Sequence, residues 1–326
     1  KYDSNGNQVW VRQFDGPAKL VDEASAIAVD ASGNVYVTGL ATTGGGFFTS
    51  TDYATVKYSS DGVQLWASYY DGPASGHDSP TALAVDGMGN AYVTGASQGS
   101  GSGLDFATVM YDAAGAQQWA TRYDNSQDDL ASAIAIGPTG TILVTGVSAG
   151  AGAPSDYATV SYDGATGNQL WVVRSDSAEH AQDEPVAIAA DAAGNVYVTG
   201  TAGMEIWNAN SGYFTVKFDS AGVQQWAVRY DGPGNGWDRA NGIALDAAGN
   251  IFVTGQSKGT DTASDYATVS YNPAGEIRWV ERYDGGNNAD DGAVGVATDV
   301  AGNVFVTGST GFGGDETQIT TIKYLP

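Results

Sequence analysis

One motif is written six times along this chain, and that repetition constrains the fold more than any other property of the sequence. Each copy reads roughly Ala-Ile-Ala-Val-Asp-x-x-Gly-Asn-Val-Tyr-Val-Thr-Gly, then Asp-Tyr-Ala-Thr-Val-x-Tyr, then Trp-x-x-Arg-Tyr-Asp-Gly. The Val-Thr-Gly tripeptide begins at Val37, Val93, Val144, Val198, Val253 and Val306, and a tryptophan recurs at Trp10, Trp66, Trp119, Trp171, Trp226 and Trp279. A period of about 53 residues with several short strands per unit means stacking of one supersecondary element. Length alone, 326 residues, suggests about two or three domains. The repeat overrides that prior, because units that need their neighbours to bury their faces form one body.

The residues of one unit define its strands. Ser25-Ala26-Ile27-Ala28-Val29 alternates small and large side chains, as a strand with two different faces does. Asp30-Ala31-Ser32-Gly33-Asn34 supplies an aspartate that bonds nearby backbone and a glycine that accepts positive φ, the ingredients of a tight hairpin. Val35 to Thr38 is a second strand, rich in β-branched and aromatic residues. A glycine-rich loop leads to a third strand, Tyr53 to Tyr58, and the hairpin Ser59-Ser60-Asp61-Gly62 leads to a fourth, Gln64 to Tyr70. No helical period appears. The expectation is an all-β, six-bladed β-propeller with four antiparallel strands per blade. The blades are expected at about 22–71, 78–124, 129–176, 183–231 and 238–284, with the sixth formed by 291–326 plus 1–15. The sixth unit lacks a fourth strand of its own, and Gln8 to Phe14 carries the missing tryptophan strand. The N-terminal strand is therefore expected to complete the last blade and close the ring.

The Gly-Asn-Val-Tyr-Val-Thr-Gly motif followed by the Asp-Tyr-Ala-Thr-Val-Lys-Tyr strand resembles the bacterial β-propeller repeat called SBBP, over the whole chain. The resemblance implies a secreted or surface-attached bacterial protein, extracellular or at the cell surface, and brings no common chemistry with it.

Composition excludes some partners. The formal charge is −24, from 37 acidic and 13 basic residues. Nucleic-acid affinity rests on clustered Lys and Arg, so no nucleic-acid partner is expected. No run of about 18 apolar residues exists to insert into a bilayer. The chain has no cysteine, which is neutral about compartment.

Two kinds of position carry chemistry. Residues present in every unit are explained first by what every unit needs. One aspartate precedes each first strand: Asp22, Asp78, Asp129, Asp183, Asp238 and Asp291. A second set precedes the third strand (Asp52, Asp105, Asp156, Asp265), and a third ends the fourth (Asp15, Asp71, Asp124, Asp176, Asp231, Asp284). All three are expected near one face. The first set is the candidate Ca²⁺ ring, because Ca²⁺ takes six to eight oxygens; the competing role is acceptance of backbone N–H groups within each turn. Arg122, Arg174, Arg229 and Arg282 are read as inter-strand partners of the Tyr-Asp that follows each of them.

Departures from the repeat are the better ligand-binding candidates. His77 and His180 are the only histidines. Trp207 and Trp237 lie outside the tryptophan register, and Glu179, Glu184 and Glu205 fall in the same sector. Phe47 and Phe48 decorate the corresponding loop of the first unit. Aromatic rings beside carboxylates suit a carbohydrate or a peptide segment of a protein ligand, by stacking and by accepting hydroxyl or amide protons.

Enzyme signatures are weak. A sialidase-type box is not matched by Tyr2 to Trp10, where the spacing from aspartate to tryptophan is too long. Loop arginines to grip a carboxylate substrate or a quinone cofactor reduce to Arg239, and no specific Ser-His-Asp arrangement stands out. The preferred reading is a binding or adhesion module. The alternatives are an extracellular polysaccharide-processing hydrolase or lyase using carboxylates with His180, and a structural spacer or assembly subunit.

Overall fold

In the computed structural model, residues 1–43, 50–149, 154–177, 181–204, 210–286, 289–311 and 317–326 are described. Among them the chain is all β: 23 strands form six antiparallel sheets, five of four strands and a last one of three. Sheet one is built from Asp22–Val29, Val35–Thr42, Thr51–Tyr58 and Gln64–Tyr70, hydrogen-bonded in that order. Sheets two to six span 78–123, 129–175, 182–230, 238–283 and 292–324. Every strand pairs with its neighbour in sequence, and the first strands of successive sheets pack on one another from sheet one through sheet six.

The hairpins form for the reason their residues suggest. The Asp30 carboxylate accepts the backbone N–H groups of Ser32 and Asn34, both at 2.9 Å, and the Asn34 side-chain amide at 2.8 Å, while Gly33 takes φ of 78°. Asp86, Asp191, Asp246 and Asp299 repeat this arrangement.

The Val-Thr-Gly glycine has a different cause. In each sheet the first strand slips register by one residue opposite this tripeptide, as between Pro80 and Ala82. The bulge pushes first-strand backbone against the glycine, so a Cβ on Gly95 would run into the carbonyl oxygen of Ser79 and lie 2.6 Å from the Pro80 Cα. The extra residue of the bulge turns toward the next sheet: the Thr81 hydroxyl donates to Ala131 O at 2.8 Å, and the Asn241 amide to Ala293 O at 2.7 Å.

The core lies between sheets. Tyr36, Tyr53 and Tyr70 of sheet one pack with Ala91, Val93, Val109 and Tyr111 of sheet two. Tyr36 and Tyr53 donate their buried hydroxyls to backbone acceptors in the next sheet, Gly89 O (2.9 Å) and Ala107 O (3.3 Å). Trp10, Trp66, Trp119, Trp171 and Trp226 each cap the outer hairpin of the following sheet. The Trp66 indole N–H donates to Ala113 O at 3.1 Å, and its ring occupies the space a Cβ on Gly115 would need.

The N-terminal segment departs from expectation. Residues 8–14 form no ladder with the last sheet, which remains three-stranded. They lie instead on sheet one, where Trp10 donates its N–H to Ser60 O at 3.0 Å and Arg12 donates to Gly62 O at 2.6 Å. Trp10 thus keeps the half of its role that faces the following sheet and lacks the half that pairs with a third strand. The two ends of the row are correspondingly uncovered: Ile27 and Val29 of sheet one, and Val294 and Ile319 of sheet six, are exposed.

Candidate functional site

The three aspartate sets do not form a ring around an axis. They meet in threes at four of the five junctions between consecutive sheets. Asp52, Asp71 and Asp78 bring carboxylate oxygens within 4.8 Å of one another, as do Asp105–Asp124–Asp129, Asp156–Asp176–Asp183 and Asp265–Asp284–Asp291. Topology explains the meeting: the start of a third strand, the end of a fourth and the start of the next first strand all reach the same edge.

Within each group the members differ. Those before the first strands are clasps for the connecting loop. Asp78 accepts the N–H of Gly72 at 2.6 Å and of Gln98 at 3.0 Å; Asp183 accepts Ser177 and Gly203; Asp238 accepts Gly232 and Lys258; Asp291 accepts Gly285 and Gly311. Asp22 accepts Gly16, and Asp129 accepts Asn125. Burial pushes the carboxyls of Asp129, Asp183 and Asp238 above their ordinary value, against the hydrogen bonds they accept. The role in loop closure is therefore real for the whole set.

The arginines pair differently from expectation. Arg122, Arg174 and Arg282 bond the aspartate that opens the third strand, Asp105 (2.6 Å), Asp156 (2.9 Å) and Asp265 (2.9 Å), instead of the Tyr-Asp that follows them. Arg122 lies opposite Ala107 in the ladder, so Asp105, two residues before Ala107, is its diagonal neighbour on the same face. Only in sheet four, where Gly212 stands at the aspartate position, does the arginine take the following acid, Arg229 to Asp231 at 2.8 Å. Sheet one has Tyr69 at the arginine position, so Asp52 has no such partner.

Of the ligand candidates, Trp237 and His77 occupy equivalent rim positions, each immediately before a clasp aspartate. Each forms an isolated parallel bridge to the preceding sheet, Trp237 to Ser211 and His77 to Thr51. The His77 imidazole Nδ1 lies 3.4 Å from the Thr51 hydroxyl. Trp237 is 53% exposed, and the Arg239 guanidinium sits 4.7 Å from its ring centroid. Trp237 and Arg239 line a shallow pocket with Gln256, Lys258, Ser264 and Asp290. Glu179, His180, Glu205 and Trp207, with Phe47 and Phe48, lie outside the described residues. The equivalence of His77 and Trp237 was legible from their common place before Asp78 and Asp238; the grouping of aspartates in threes required the topology.

Residues 9–47 match the family model of SBBP, a beta-propeller repeat, and the later units carry the same motif. No curated protein matches the sequence. Among solved structures, the chain is similar to the beta-propeller domain of the Trilobed protease from Pyrococcus furiosus, described as having an open velcro topology. That likeness has a TM-score of 0.54 at 7% identity and covers 92% of this chain and 82% of that one. A protein of unknown function from Dyadobacter fermentans aligns with a TM-score of 0.53 at 12% identity, over 96% and 97% of the two chains. A quinohemoprotein alcohol dehydrogenase from Pseudomonas putida aligns with a TM-score of 0.50 at 14% identity, over 89% of this chain and 56% of that one. These likenesses show a propeller fold. Among the described residues no helix is long and apolar enough to cross a membrane.

Proposed function

We propose that this protein is a secreted or surface-attached bacterial binding module, a six-bladed propeller that holds a carbohydrate through the rim of sheet five beside Trp237. The observation that carries the reading is Trp237. It is the described tryptophan outside the repeat register, it is half exposed, and no packing demand shared by the units accounts for it. An aromatic face bordered by a guanidinium, an ammonium, an amide and a carboxylate offers stacking together with donors and acceptors for hydroxyl groups. A peptide segment of a protein ligand would use the same groups and is the competing occupant. Glu179, His180, Glu205 and Trp207 lie outside the described residues, and the proposal rests on Trp237.

The test is a glycan array followed by calorimetry with the best soluble hit. Trp237→Ala is expected to weaken binding by at least tenfold, about 1.4 kcal/mol, a typical loss for an aromatic anchor. Trp237→Phe is expected to retain part of the affinity. Absence of any retained glycan, or full binding by Trp237→Ala, would sink the reading.

A further inference from the structure

We propose that the junction between sheets one and two is a Ca²⁺ site, held by Asp52, Asp71 and Asp78. Three observations at this junction point to a cation. The carboxylates converge, each offering an oxygen within 4.8 Å of the others. Asp52 is 6% exposed and Asp78 fully buried, and Oδ1 of Asp52 is a buried carboxylate oxygen that accepts no hydrogen bond. A buried acceptor of this kind is destabilising, the more so when it is ionised, unless something donates to it or coordinates it. Finally, among the described residues no cationic side chain forms an ion pair with any of the three.

The other junctions show what supplies the positive charge when an arginine is present. At the junctions after sheets two and five, Oδ2 of Asp105 and of Asp265 takes the guanidinium, and each Oδ1 stays buried without a donor. Those groups keep the same three carboxylates with one charge compensated. At the junction after sheet four the third-strand acid is absent and Arg229 reaches Asp231, so two acids remain. Sheet one is the reverse case: all three acids are present, and Tyr69 stands where the arginine would be. The first junction therefore has the largest uncompensated negative charge of the series.

The donors are carboxylates, which are hard oxygen ligands that select Ca²⁺ or Mg²⁺ over zinc or copper. Ca²⁺ is favoured because it accepts irregular oxygen sets completed by water and backbone carbonyls, whereas Mg²⁺ demands near-octahedral geometry.

The full chain, stripped with chelator and kept at physiological ionic strength, is titrated with CaCl₂ and in parallel with MgCl₂. Bound ions are counted by calorimetry and native mass spectrometry. Saturable Ca²⁺ binding is expected, with a melting temperature that rises with the logarithm of Ca²⁺ concentration. Asp52→Asn is expected to remove one bound equivalent. Asp71→Asn is the variant that tests ligation apart from folding, because Asp71 is exposed and clasps no loop; it is expected to weaken that equivalent on the order of tenfold through the lost ligand charge. Asp231→Asn, at the arginine-filled junction, should leave the stoichiometry unchanged. The proposal is overturned by no saturable uptake, by equal responses to Mg²⁺ and Ca²⁺, or by full stoichiometry and affinity in both Asp52→Asn and Asp71→Asn. These outcomes are independent of glycan binding, so the two proposals fail separately.

Discussion

At the scale of single residues, repetition and exception have separate causes. The glycine of Val-Thr-Gly is fixed by a bulge on the facing strand, not by its own backbone angle, since none of these six glycines takes positive φ. Gly95→Ala is expected to destabilise the protein by about 1–3 kcal/mol, the range for forcing extra volume into a packed site. Urea denaturation would measure it, and an unchanged midpoint would refute the bulge argument. The tripeptide was visible in the sequence, but its reason was not, because a bulge is a relation between two strands. The aspartates show the same limit. Their presence near one edge could be read from strand direction, while the pairing of Arg122 with Asp105 depends on the cross-strand register that sets Asp105 diagonally beside it. His77 and Trp237 were found as departures from a pattern, and their placement at one equivalent rim position follows from the clasp aspartate each precedes.

At the scale of elements, the hairpins between first and second strands were the most legible feature. Asp-x-x-Gly-Asn encodes its turn almost entirely within five residues, so nothing distant is needed to specify it. The price in acid is a defined one. At Asp299 the side-chain amide of Asn303, opposed by a smaller burial effect and helped by the N–H groups of Asn303 and Ala301, holds the carboxyl below its ordinary value of 3.8. A carboxyl depressed on folding adds stability above its unfolded value and loses it as pH falls through the folded value. The hairpin contribution should therefore be intact near neutrality and fade below pH 3.8. Asp299→Asn is expected to reduce the loss of melting temperature in that acid window relative to the parent; identical acid profiles would contradict it. The fourth strands were also legible, with tryptophan marking each one. Their partner across the junction was not, because Trp66 shows its function only where sheet two presents Ala113 and Gly115.

At the scale of the whole molecule, the sequence predicts a ring and the structure shows a row of six sheets with uncovered ends. The N-terminal residues carry half of the expected contacts, at sheet one, and the third strand of sheet six has no fourth strand beside it. Transposing the register of sheet one, in which Thr55 faces Ser68, would set Thr321 opposite Arg12 on closure. The parent chain has no cysteine, so the pair Thr321→Cys and Arg12→Cys reads closure without background. Rapid intramolecular disulfide formation in mild oxidant is expected if the ring closes in solution. A dithiol that persists, with the single variants behaving alike, would mean the row stays open. Local rules reached the sheets, since each hairpin is specified nearby, whereas closure brings together residues some three hundred positions apart.

The Trp66 contact with the next sheet has a consequence for how such a chain can grow. The matched stretch 9–47 begins one residue before Trp10 and takes in the first two strands of sheet one, Asp22–Val29 and Val35–Thr42. The inherited word and the built sheet are thus out of phase: from Trp66 onward every word contributes to two sheets, and each of sheets one to five draws on two words. Copying or deleting one whole word moves the boundary between compartments without tearing any of them. Cutting at the sheet boundary instead separates each tryptophan from the surface it covers. The phase shift makes a gene of this kind easy to lengthen or shorten in whole words, and a designer adding or removing a unit should cut before the tryptophan.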